Sequence, residues 1–238
     1  MKLRFTRQAT FGAFTLLELL VVVAIIGVLL ALLLPVLSRS KTKVQQTQCI
    51  ANLRQLGIGL QAFAADNHSY PSGIAGTNTE MNGTWERQLE RGGFGTDQVR
   101  SNFWAKGVWR CPSAWSESQA SNEGLSSYGY NAYGVGGGHP TNALGLMGHF
   151  ESFSDLFTPI RESEVVQPSD MIAIGESSSG GIFFTRRALR PPRHQGKVNV
   201  TFCDGHVESP TGFSLHQDTN DAALVRWNRD HQPHRERL

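Results

Sequence analysis

The sequence predicts an α+β protein in which a long N-terminal helix, first transmembrane and then a stalk, packs onto a small antiparallel β-rich globular head. Three observations carry this. Residues 14–37, FTLLELLVVVAIIGVLLALLLPVL, are apolar almost throughout, with Glu18 as their single charge. From residue 38 to 65, Val44, Cys49, Ala51, Leu53, Leu56, Leu60 and Phe63 recur at near-helical spacing among Lys, Arg, Gln and Asn. After Asp66 the chain breaks into short apolar pieces between turn residues, KVNVTFCDGHVES at 197–209 being the clearest.

A helix over 14–37 rises roughly 36 Å, enough to cross a hydrocarbon core of about 30 Å. A cleavable secretory signal has a shorter apolar region followed by small residues, and that pattern is missing after Leu37, so the anchor is expected to persist. The segment 1–13 carries Lys2, Arg4 and Arg7 without an acid, which orients it toward the cytoplasm and the rest of the chain outward. Glu18 is costly in such a helix unless it is paired, neutralised or interfacial. The pairing options are an α-amino group made by nearby cleavage or a base on a neighbouring subunit; an interfacial acid without a partner is the plain alternative. Pro35 removes a backbone donor and should bend the helix. The amphipathic stalk helix occupies 38–65, where Gly57 and Gly59 either weaken it or permit close packing.

Residues 66–238 suffice for one α+β head with a polar C-terminal tail. A turn-rich exit covers 66–76. A short helix is expected around 84–91, a strand followed by a Gly-rich loop over 127–140, a short helix near 150–157, and a buried strand over 171–177. In the 197–209 hairpin, Val198, Val200 and Phe202 share a face, and Asp204-Gly205 makes the turn.

Enzyme signatures are lacking: no Walker loop, nucleophile elbow, zinc-protease helix or dinucleotide fingerprint occurs. A net charge of +2 makes no general case for nucleic-acid binding. Arg186, Arg187, Arg190 and Arg193 form a basic patch, expected as a solvated loop or a docking surface. Three cysteines allow one disulfide; Cys111 with Cys203 is the preferred pair, because Cys49 belongs to the stalk, and unpaired packing thiols are the alternative. His194, Asp204 and His206 have residue types suited to a metal or an acid-base pair. The structural reading is that Asp204 and Gly205 form a turn to which His194 ties the incoming loop.

The run Phe14-Thr15-Leu16-Leu17-Glu18, the apolar helix and Pro35 together resemble the processing and assembly region of type IV pilins and type II secretion pseudopilins. That resemblance implies a prepilin peptidase that cuts before Phe14 and N-methylates it. The site before the cut holds Ala13 where the family usually has Gly; cleavage after Gly12 is the alternative. It further implies that Glu18 registers an incoming subunit, and that the partners are other pilin-like subunits and an assembly platform at the bacterial inner membrane, with the head periplasmic. A second resemblance, carried by His194, nine intervening residues and Asp204-Gly205, with Cys111-Pro112-Ser113, Tyr128-Gly129-Tyr130-Asn131 and RWNRDHQPH, is to pseudopilin-like proteins with a DUF1559-type head. No cofactor is implied as a requirement. Some relatives hold calcium in the head, which makes Asp66, Asp155, Asp170 and Asp204 the acids to test here. The rival expectation is a membrane-anchored binding module or adhesin that presents the aromatics of the head.

Overall fold

Thr15 and the 52-residue helix that follows it open the part of the chain that can be described. The computed structural model describes residues 15–75, 83–95, 107–114, 127–136, 142–150, 157–177, 183–186 and 193–238. Helix α1, Leu16–Asn67, runs through Pro35 without interruption. The chain divides into two units, Met1–Lys43 and Val44–Leu238.

In the first unit the large apolar side chains from Leu16 to Leu37 are all exposed. The helix is long and apolar enough to cross a membrane by length and composition. Pro35 leaves one carbonyl without its helical donor. Just beyond it, Ser38, Ser40 and Thr42 return their hydroxyls to the carbonyls of Pro35, Val36 and Ser38 at 3.0–3.2 Å.

In the second unit the rest of α1 has one buried stripe: Cys49, Asn52, Leu53, Leu56, Gly57, Gly59, Leu60, Phe63 and Ala64. Recurrence at three and four residues is what places them on one face. Against this stripe lies a four-stranded antiparallel sheet made of β3 (Tyr128–Tyr130), β6 (Ile172–Glu176), β7 (Val200–Phe202) and β8 (Val207–Glu208), in the order β3-β6-β7-β8. Two small antiparallel pairs flank it: β1 (Ile74–Ala75) with β2 (Gly83–Thr84), and β4 (His149–Phe150) with β5 (Phe157–Thr158).

Every residue of β6 is buried, as expected for a strand covered on both faces. One cover is the α1 stripe, whose apolar cluster includes Trp85, Trp109, Tyr128, Tyr130, Ala173, Ile174 and Cys203. The other contains Ile172, Phe184, Val198, Val200, Phe202, Leu215, Leu224 and Trp227. Its last members come from α3 (Gly212–His216), α4 (Asp221–Leu224) and the turn after them. The pairing of β6 with β7 shifts register between Ile172 and Ile174. The shift explains why these two residues, which would share a face in a regular strand, join opposite clusters.

Several sequence expectations hold. The α+β layout is observed, the 84–91 helix appears as α2 (Trp85–Gln88) running into a wider turn over Leu89–Gly93, and β6 and the β7–β8 hairpin lie where expected. Val198, Val200 and Phe202 do share a cluster. The strand expected at the start of 127–140 is β3, which ends at Tyr130; there the chain turns away and Asn131 donates from its side chain to the carbonyls of Ile172 and Trp227 at 2.8 and 2.9 Å. Others are corrected. The helix expected near 150–157 is framed instead by the paired strands β4 and β5, with 151–156 outside the described residues. The polar C-terminal tail is built into the head. Trp227 is fully buried, the Asn228 side chain accepts from the Val135 amide at 2.9 Å, and Arg229 donates to the carbonyls of Ala143 and Gly145.

The two helix glycines serve close packing. A Cβ on Gly57 would sit 2.8 Å from both the Gly205 carbonyl oxygen and the Thr201 hydroxyl, and one on Gly59 would sit 2.7 Å from the Phe94 ring. Among the described aromatic residues of the head, Trp85, Trp109, Tyr128 and Tyr130 are buried, while Phe94 is exposed. Trp85 stacks on Tyr130 at 5.1 Å and meets Trp109 edge-on at 5.5 Å.

Candidate functional site

Glu18 begins with its local role. Thr15 precedes the first helical residue, and its amide and hydroxyl both donate to Glu18 Oε2 at 2.9 Å, while the Glu18 amide donates to the Thr15 hydroxyl at 3.2 Å. This is a reciprocal capping box, with Thr as the cap and Glu three residues on. The acid is therefore held at the helix start by its own chain, an option that reading Glu18 only as a membrane charge had missed. The signal was present as Thr15-x-x-Glu18. Both bonds fall on one carboxylate oxygen, Oε2. The expected processing residues Gly12, Ala13 and Phe14 lie outside the described residues.

The His194/Asp204/Gly205/His206 motif resolves into two separate pieces. Asp204 and His206 share the hairpin tip: Asp204 Oδ1 accepts from the His206 amide at 3.1 Å and meets its Nδ1 at 2.6 Å. Gly205 has φ +86°, a left-handed conformation that favours glycine, so the sequence requires it there. The His206 ring stacks on Phe202 at 4.2 Å, and Arg226 links Asp170 and Glu208 at 3.0 and 2.6 Å. The tip docks on α1, where Gln61 Nε2 donates to the Cys203 carbonyl and Gly57 meets Gly205. The turn thus holds hairpin to helix.

His194 does not tie the loop to that turn. Its side chain is fully buried and its Nε2 lies 2.8 Å from Glu176 Oε1 on the central strand, itself 3% exposed. Asn199 of the hairpin donates to both Glu176 oxygens, by its amide at 3.1 Å and its side chain at 2.9 Å. The coupling therefore runs from the loop to β6, because the only acid in the otherwise apolar strand MIAIGE needs a buried partner. That lone acid was the missed signal.

The disulfide is also corrected. Cys49 pairs with Cys111, with Cα atoms 5.0 Å apart, and Cys203 is a buried free thiol. Assigning Cys49 to a remote stalk was the error. It opens the buried stripe of α1 and is fully covered by the head. Burial pushes the Cys203 thiol well up, which makes it an inert packing group. The His194–Glu176 pair abuts the disulfide, with Cys111 Sγ 3.6 Å from His194 Nε2 and 3.8 Å from Glu176 Oε1.

Of the four acids considered for calcium, Asp66 is exposed near the end of α1, Asp155 lies outside the described residues, Asp170 is engaged by Arg226 and Asp204 by His206. Among the described residues, the donors that come together are Cys49, Cys111, Glu176 and His194. Of the basic patch, Arg186 is buried and donates to the Asp218 carbonyl, and Arg193 donates to the Ser127 carbonyl at 3.4 Å. Arg187 and Arg190 lie outside the described residues.

Comparison with known proteins finds similarity to type II secretion system core protein G from several bacteria. The chain is 41% identical over 59 residues to that of Escherichia coli K12, covering 25% of this chain and 41% of the relative. It is 35% identical over 71 residues to that of Aeromonas hydrophila, 30% of this chain and 50% of the relative. To that of Vibrio cholerae O1 it is 32% identical over 84 residues, 34% of this chain and 58% of the relative. The chain thus spans about half the length of these relatives. No family model and no solved structure matches it.

Proposed function

We propose that this chain is a pseudopilin-like structural subunit. It is inserted through the first part of α1, trimmed and N-methylated at Phe14 by a prepilin peptidase, and assembled with other pilin-like subunits on a type II secretion or type IV pilus-like platform. Its anchor lies in the bacterial inner membrane, with residues 1–13 cytoplasmic and the head periplasmic. The carrying observation is an apolar helix with no buried side chain over 16–37 and one carboxylate at its capped start. Similarity to secretion-system core proteins supports the same reading.

The capping box gives the assembly step a physical form. Thr15 holds Oε2, so Oε1 of Glu18 faces the task of meeting a neighbour's newly exposed amine. In an apolar surround such a pair attracts strongly, and an unpaired charge is penalised, which selects correctly registered neighbours. The exposed apolar side chains then exchange lipid for like helices.

Burial of Trp85, Trp109, Tyr128 and Tyr130 takes those four aromatics away from the adhesin alternative. Mass spectrometry of the native N-terminal peptide tests the main reading. A methylated Phe14 terminus is expected; an intact leader in the assembled protein, or a soluble form lacking the helix, refutes it. In parallel, Glu18→Ala should insert normally yet fail to cross-link into an ordered array.

A further inference from the structure

A disulfide needs no ionisable neighbours, yet Cys49–Cys111 has two. His194 and Glu176 are buried with side chains 0% and 3% exposed, and withdrawing such a pair from water carries a desolvation cost that their mutual attraction must offset. The four donor atoms, two sulfurs, one imidazole nitrogen and one carboxylate oxygen, all lie within 4.8 Å of one another. They come from four different parts of the fold: the α1 stripe, the turn before the segment Pro112–Ala114, the end of β6, and the loop before β7.

We propose that the reduced head holds a zinc-type divalent ion on Cys49 Sγ, Cys111 Sγ, His194 Nε2 and Glu176 Oε1, and that forming the disulfide closes this site. The donor set is that of a tetrahedral, borderline-soft ion without an open position, a structural rather than a catalytic arrangement. With metal–ligand bonds of about 2.0–2.3 Å, tetrahedral ligand edges run about 3.3–3.8 Å. Two edges already fall there, 3.6 Å between Cys111 and His194 and 3.8 Å between Cys111 and Glu176, and the 2.8 Å hydrogen bond between His194 and Glu176 lengthens as the ion replaces its proton. The sulfur pair is the edge that must open on reduction. Asn199, donating twice to the Glu176 carboxylate, is the outer group that fixes a ligand's orientation. Among the described residues His194 Nδ1 has no hydrogen-bond partner, and the ring's hydrogen bond there is made by Nε2, the nitrogen that would face the ion.

The exchange balances. An external dithiol gives two electrons and two protons to the Cys49–Cys111 bond and becomes a disulfide itself; as the dication binds, the two protein thiols release their protons to solvent and the hydrogen held between His194 Nε2 and Glu176 Oε1 moves to Nδ1 or to solvent, freeing both atoms to ligate. The reverse, oxidation by an external disulfide, expels the ion. This site is independent of the assembly role argued for the helix.

The test uses the full chain in detergent, reduced anaerobically with a phosphine, freed of reductant and titrated with cobalt(II), then zinc(II). Expected are one cobalt per chain, thiolate-to-cobalt charge-transfer absorption, tetrahedral visible bands, and displacement by zinc. The oxidised chain should take none. Cys49→Ser and Cys111→Ser should lose the charge-transfer band of the two-thiolate site, and His194→Gln and Glu176→Gln should weaken uptake at least tenfold while still melting cooperatively when oxidised. A reduced wild-type chain without the cobalt–thiolate band, or affinity unchanged in both the His194 and Glu176 variants, overturns the proposal. Should those variants not fold, zinc-edge absorption on the wild-type chain decides: two sulfur and two nitrogen or oxygen neighbours support the site, and any other shell refutes it.

Discussion

Gly57→Ala is the smallest change that tests whether the hairpin tip is locked to α1. In a helix interior, Ala is worth about 1 kcal/mol more than Gly, so propensity alone predicts stabilisation. The added Cβ, however, would stand 2.8 Å from the Gly205 carbonyl oxygen and 3.0 Å from its Cα. Both are backbone atoms of a turn held by Phe202–His206 and Phe202–Gly205 hydrogen bonds at 3.0 and 2.9 Å, so neither can swing aside as a flexible side chain would. Overpacking of this kind costs about 1–3 kcal/mol. Because the obstacle is backbone, the upper half of that range applies, and the net is a loss of about 1–2 kcal/mol, or roughly 2–8 °C in Tm for a unit of this size. The assay is thermal unfolding of the full chain in detergent, followed by near-ultraviolet circular dichroism, beside Ala51→Gly. Ala51 is exposed on the same helix, so that variant reads propensity alone and should lose about 1 kcal/mol. If Gly57→Ala gains as much as Ala51→Gly loses, the close approach carries no energy and the docking argument fails.

Glu86 supplies a pH prediction. It is 6% exposed, its Oε2 has no partner among the described residues, and burial pushes its carboxyl up to about 7, against smaller opposing effects of Thr84 and Arg87. An unfolded chain ionises it near 4.5. Between these values the folded form keeps a proton the unfolded form has shed, so its contribution is full below pH 4.5 and is lost as pH rises through 7, about 3 kcal/mol in all. Glu86→Gln should match the wild type in urea melts at pH 4 and exceed it at pH 8; parallel curves across that range contradict the assignment. Reducing the disulfide in chelator-treated buffer removes a cross-link between residues 62 apart in sequence, worth about 4 kcal/mol on the chain-entropy model. Non-reducing peptide mapping should return Cys49 joined to Cys111, and Cys203→Ser should leave that peptide in place. Asn228→Ala leaves the buried Val135 amide without its acceptor and should cost about 2–3 kcal/mol in denaturant melts; a neutral result would mean the C-terminal segment is not part of the core.

Patterns of period and turn chemistry carried most of the architecture. The apolar run, the three-and-four spacing of the stripe, and Asp204-Gly205 between alternating apolar residues each reflect local rules, and α1, β6, β7 and β8 sit where those rules put them. What stayed hidden was pairing over long distances. Nothing local in the sequence says that Cys49 meets Cys111 or that His194 meets Glu176, because both depend on how α1 and β6 pack in space. At its two described ends the 150–157 segment misled for the opposite reason. Phe150 and Phe157 suit one face of a helix as well as facing positions of a strand pair, and tertiary pairing places those two residues in β4 and β5. The Thr15–Glu18 box was local and legible, but the cost of a charge in an apolar helix drew attention from it.

The seal over the outer sheet face has a temporal consequence. Trp227 lies beside Phe184 at 5.2 Å, and Arg229 clamps carbonyls some eighty-five positions upstream. During synthesis, therefore, the tethered polypeptide must wait with Val198, Val200 and Phe202 uncovered until position 229 has emerged. A message interrupted before codon 227 would yield an anchored but sticky product, a natural substrate for membrane proteolysis rather than for assembly.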